Sequence, residues 1–72
     1  MEKTTAAAHL AAIAAEIHAT ERRIAGLAYF IAHAPAGINR GRETETHMML
    51  KHQTLWNLNV DLRAAMAAYE AA

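Results

Sequence analysis

Hydrophobic residues in the first half of the chain recur at alternating steps of three and four. Such steps bring side chains to one face of an α-helix, and their strict alternation is the heptad pattern of coiled coils and helix bundles. The pattern predicts an amphipathic helix over about residues 4–33. Its seam consists of Leu10, Ile13, Ile17, Thr20, Ile24, Leu27 and Ile31. Small residues, which let another helix approach closely, follow the seam on one side at Ala7, Ala11, Ala14, Ala25, Ala28 and Ala32.

The second half of the chain has a similar register and predicts a second helix over about residues 40–70. Its central row and the apolar residues beside that row are Met48, Leu55, Leu62 and Tyr69, with Leu58, Ala65 and Met66. A separate apolar set is formed by Met49, Trp56 and Val60. This set lies about 100° round the helix from the central row, since successive residues turn by that angle. The second helix therefore has more apolar surface than one neighbouring helix covers.

Residues that disfavour helix are concentrated between the two patterns, in residues 34–41. Pro35 disfavours the helical conformation at the residue before it, so we expect the first helix to end near His33. Gly37 suits a turn because it adopts a left-handed conformation readily. Asn39 is a candidate N-cap for the second helix. We therefore expect one all-α domain over residues 1–72, folded as an antiparallel two-helix hairpin.

A single hairpin of this sequence would leave large apolar patches in water, which soluble monomers rarely expose. The simplest remedy is a two-fold homodimer in which two hairpins form a four-helix bundle. Three polar residues, Thr20, His52 and Asn59, lie on or beside the apolar faces at similar levels of this hairpin. We interpret them as a buried polar layer that fixes register and oligomeric state. The alternative is a ligand pocket in the centre of the bundle.

The composition gives little support to catalysis. The chain contains no cysteine and no serine, so the commonest nucleophiles are absent, and no glycine-rich phosphate loop occurs. We therefore expect a protein that is not an enzyme. Seven basic and seven acidic residues cancel, whereas nucleic-acid binders carry a basic excess. No stretch is apolar and long enough to span a bilayer, so we expect a cytoplasmic protein that contacts neither nucleic acid nor membrane.

The five histidines raise the question of a metal or haem site. Glu43 and His47 have the i,i+4 spacing of two helical ligands, but this pair is more simply an exposed first-turn contact. His47 or His52 with Met48 or Met49 would supply axial haem ligands, but methionine at helical spacing more often fills a core. We expect no metal and no cofactor.

The leading hypothesis is a non-enzymatic protein–protein interaction module. A homodimeric helical hairpin of this kind would bind a larger protein and modulate or inhibit it, as bacterial or phage accessory proteins do. Tryptophan is enriched at binding hot spots, so the predicted partner surface is Trp56 with Met49, Val60 and Tyr29. Two alternatives remain open: a helical bundle that binds a small ligand, metal or haem, and a structural or assembly component. Trp56 could also pack inside the homodimer interface.

Overall fold

A computed structural model describes residues 2–72 of the chain. Helix α1 spans Lys3–His33, and after a short turn helix α2 spans Gly41–Met49. A π-helical turn, Leu50–Thr54, then leads without a break into helix α3, Leu55–Ala71. We call residues 41–71 the second arm, which packs antiparallel to α1. The described residues contain no strand, and the structure confirms the predicted all-α helical hairpin.

The heptad row of α1 faces the second arm along its whole length. Ile13 is buried, with 8% of its surface exposed, and the other residues of the row are only partly buried. The buried residues of the described chain are Ala6, Ile13, Leu50 and Ala65. This hairpin therefore has a thin core, because most seam residues are covered by one neighbouring helix only and remain partly open to solvent at the two broad faces.

The turn between the arms is fixed by main-chain and side-chain hydrogen bonds. Gly37 has a φ of 91°, which glycine adopts without a steric penalty. The Arg40 guanidinium donates from Nη1 to the carbonyl oxygen of Ile31 at 2.9 Å, and a cation there also suits the negative end of the α1 dipole. The N-cap position of α2 is occupied by Arg40 rather than by Asn39. Asn39 instead accepts a hydrogen bond from the Gly41 N–H at 2.9 Å.

The π turn changes which residues of the second arm face α1. Its defining hydrogen bond runs from the Leu55 N–H to the Leu50 carbonyl oxygen, five residues back. One additional residue is thereby accommodated in the turn, so the register on its two sides differs by one position. Leu50 is buried as a result, whereas Met48, which an uninterrupted heptad would place in the central row, has 56% of its surface exposed.

The hairpin is a long, thin rod. Its principal extents are 54 × 15 × 12 Å and its radius of gyration is 16.2 Å, whereas a compact domain of this length has a radius of gyration of about 11 Å. At the open end, the Lys3 ammonium donates to the Tyr69 carbonyl oxygen at 2.8 Å and lies 3.8 Å from the centroid of the Tyr69 ring. The rod is one helix layer thick, so no other described part of the chain packs on either of its broad faces.

Candidate protein-interaction surface

Large apolar side chains line the side of the second arm that points away from α1. Trp56 has 62% of its surface exposed, and Met48 and Val60 are exposed beside it. Together with exposed His52, these residues recur at every fourth position, and we call Met48, His52, Trp56 and Val60 the outer row. At about 1.5 Å per residue the row is roughly 18 Å long. It is an apolar strip with one imidazole, that of His52, between Met48 and Trp56.

The π turn brings Met48 into line with Trp56. Leu50 and Leu58 are eight residues apart, and both lie on the side of the arm that meets α1. Met48 and Trp56 each precede one of these leucines by two residues, about 200° round the helix. Both therefore point outward. In an uninterrupted α-helix, residues eight apart differ in direction by about 80°, and the strip would be broken.

Met49 and Tyr29 lie differently from the sequence-based grouping. Met49 is exposed but directly precedes Leu50, which places it at the edge of the outer row and not within it. Tyr29 lies two residues from both Leu27 and Ile31, so it points away from the second arm on the far side of α1. The Trp56 and Tyr29 surfaces therefore face in opposite directions and do not form one contact patch.

Tyr29 makes its contacts within its own helix. Its ring stacks on the His33 imidazole with 4.1 Å between the ring centroids and an angle of 21° between the planes. The His33 ring nitrogen Nδ1 lies 2.9 Å from the Tyr29 carbonyl oxygen. Tyr29 is nevertheless 67% exposed. It is a second exposed aromatic group and a natural comparison for Trp56.

The three residues of the predicted polar layer are not buried together within the hairpin. Thr20 is partly buried in the α1 seam, whereas His52 and Asn59 are exposed. Asn59 donates through Nδ2 to the carbonyl oxygen of Leu55 at 3.0 Å, four residues back on its own helix. A buried layer of these residues therefore requires a second chain.

An open depression of about 500 Å³ lies on one broad face of the hairpin. Its polar lining includes His9, Glu16 and Asp61, and Leu58 and Ala65 form part of its apolar lining. Among residues 2–72, no group of three or more histidine, cysteine, aspartate or glutamate side chains is placed to hold a metal ion. In the same part of the chain, no helix combines the length and apolar character needed to cross a membrane.

The sequence pattern does not predict three features of the structure. Leu50 is a core residue although it falls outside the heptad row of the second half. Phe30 and Ile38, at the turn end of the molecule, are exposed apolar residues. The sequence signal for Leu50 is an apolar side chain at a position that the heptad row does not include. Exposed Ile38 follows a turn whose path is set by the Pro35–Gly37 segment.

Comparison with known proteins assigns no family to the chain. No family model matches it, and no curated protein or solved structure shows significant similarity.

Proposed function

We propose that this chain is a non-enzymatic protein-interaction module, a homodimeric helical hairpin that binds a larger protein through its outer row and thereby modulates or inhibits that protein. The observation that supports this most is the exposure of Trp56 in line with Met48 and Val60. Amphipathic helices commonly bind by laying a row of apolar side chains into a hydrophobic groove. The expected partner surface is accordingly an apolar groove about three helical turns long.

Trp56 is the anchor of this proposed contact. Tryptophan is over-represented among the few residues that contribute most of the binding energy of an interface. The helix on which it lies is already held by its contact with α1, so little backbone order has to be gained on binding. Met48 and Val60 extend the apolar contact on either side of Trp56.

The direct test is affinity capture from a lysate of the organism that encodes the chain, or of its host. Wild type is compared with Trp56→Ala and with Tyr29→Ala, which removes an equally exposed aromatic ring from the opposite side of the molecule. We expect wild type and Tyr29→Ala to capture the same protein. Trp56→Ala should bind that protein with an affinity at least about thirtyfold lower. Equal capture by all three, with all three equally helical, would contradict the proposed role of the outer row.

A further inference from the structure

The two broad faces of the hairpin differ in composition. Residues that directly precede a seam residue lie on one face, as the open depression demonstrates: His9 and Glu16 of α1 share it with Asp61 of α3. We call this side the pocket face. Residues that directly follow a seam residue lie on the other side, because each step along a helix turns by about 100°. We call that side the alanine face.

The alanine face is small and almost uncharged along α1. From residue 7 to residue 32, the positions that follow the seam are occupied by alanine except at His18 and Glu21. On the second arm Met66 follows buried Ala65, is exposed and belongs to the same face. The charged groups of the alanine face lie mostly on the second arm, where Lys51, Arg63 and Glu70 directly follow inward-facing residues. The pocket face, in contrast, has charged groups on α1 itself, at Glu16 and Arg23. Along α1, the alanine face is thus the side better suited to close contact with another helix.

The chain exposes more surface than a compact monomer of its size, and the excess is about the area that one interface buries. The hairpin exposes 5245 Å², whereas a compact monomer of this size exposes about 4,400 Å². The excess of roughly 800 Å² is the area that each partner buries in a standard-size protein interface. The partly exposed seam residues of α1 border the alanine face, so a layer packed there covers one of their two open sides.

The order of residues on this face fits a second copy of the same helix in the opposite direction. When two α1 helices run antiparallel about a two-fold axis between Ala19 and Thr20, each alanine on the face meets an alanine. At the centre, His18 of one copy lies opposite Glu21 of the other, twice. A parallel arrangement would place His18 against His18 and Glu21 against Glu21. Unlike groups oppose each other only in the antiparallel arrangement, which suits a two-fold dimer.

We propose that a second copy of this chain covers the alanine face, with the two α1 helices packed antiparallel about an axis at the level of Ala19 and Thr20. This inference rests on the self-association in the proposed function and specifies its surface and direction. The contact is made by the two α1 helices, whereas Trp56, which directly follows Leu55, lies on the second arm where the alanine face meets the outer row.

Disulfide cross-linking tests the arrangement, because the chain has no native cysteine. An Ala14→Cys chain with an affinity tag is mixed with an untagged Ala25→Cys chain and oxidised. We expect a disulfide between the two variants, since these positions oppose each other. We expect little cross-linking within either variant alone, because equal positions are then about 16 Å apart along the helix axis, and a disulfide requires Cβ atoms about 4 Å apart.

The control mixture has the same spacing on the pocket face, Ala12→Cys with Arg23→Cys. It is expected not to cross-link. Preferential cross-linking of this control, or of Ala14→Cys with itself, would overturn the inference while leaving a dimer. A chain that is monomeric at every concentration would overturn both the inference and the self-association in the proposed function. Neither result alters the separate test of Trp56.

The central charge pair gives a second, independent readout. His18→Lys should tighten the dimer and His18→Glu should weaken it, each by between about twofold and thirtyfold in Kd, because each dimer contains two such pairs. His18 is exposed in the hairpin, and circular dichroism verifies that both variants remain helical. His9→Glu on the pocket face is the control and should leave Kd unchanged. Equal Kd values for both His18 variants in sedimentation equilibrium would contradict the pairing.

Discussion

The π turn predicts that Leu50, and not Met48, stabilises the contact between the two arms. Leu50 is 7% exposed, and truncating a buried leucine to alanine costs about 2–5 kcal/mol. A domain of this length has a total stability of about 4–11 kcal/mol. Leu50→Ala should therefore remove a large part of the free energy of unfolding and lower Tm by roughly 8–40 °C, given about 4–8 °C per kcal/mol.

Met48→Ala is the matched control, two residues away on the same arm. Its side chain is mostly exposed, so we expect a change within about 0.5 kcal/mol. Thermal and urea unfolding, followed by circular dichroism at one fixed protein concentration, measure both variants, because self-association makes Tm depend on concentration. A larger loss for Met48→Ala than for Leu50→Ala would refute the register that the π turn creates, since a continuous heptad through Leu55 and Leu62 leads back to Met48.

Three further predictions concern the ends of the helices and use the same unfolding measurements. Arg40→Ala should cost about 1.5–3 kcal/mol, because it removes the charge-assisted hydrogen bond to the Ile31 carbonyl; an unchanged Tm would mean that this bond contributes nothing. Glu43→Leu should stabilise the chain by about 1 kcal/mol, because Glu43 has a buried carboxylate oxygen, Oε2, with no hydrogen-bond partner among the described residues; destabilisation would contradict this. Gly37→Ala should cost about 1–2 kcal/mol because φ is positive, whereas Gly26→Ala, within α1 with open space around its Cβ position, should stabilise by about 0.5–1 kcal/mol; equal signs for the two would contradict the assigned conformations.

The hairpin could be predicted from the sequence because its signals are local and agree with one another. Strict alternation of three and four along α1 specifies a helix with one buried face. Pro35 and Gly37 interrupt that pattern at one place only. The predicted end of α1 at His33 coincides with the observed one, since Pro35 disfavours the helical conformation at Ala34, which is extended in the structure.

The π turn could not be predicted because it depends on contacts between distant residues. The heptad of α3 continues backward to Met48 without a break, and the apolar side chain of Leu50 is too weak a local signal to assign this residue to the inner position. Burying Leu50 against α1 selects the wider turn. The same shift places Met48 in line with Trp56, so the outer row is defined by packing and not by sequence spacing alone.

The relation between Tyr29 and Trp56 also required the hairpin geometry. Both residues were expected in one contact surface because both are aromatic and outside the seams. In the antiparallel pair their helices turn these positions away from each other. One flat partner therefore contacts Trp56 or Tyr29 but not both, which is why Tyr29→Ala is a suitable control for Trp56→Ala.

We propose that self-association and partner binding use different surfaces of the hairpin, with Trp56 outside the dimer contact. Trp56 is the single tryptophan, so acrylamide quenching of the protein's fluorescence measures the exposure of this side chain. The quenching is measured across a dilution series in which light scattering follows dimerisation. We expect a quenching constant that is typical of an exposed indole and that does not change as dimers form. A quenching constant that falls as the chain dimerises would place Trp56 inside the homodimer interface and contradict the claim.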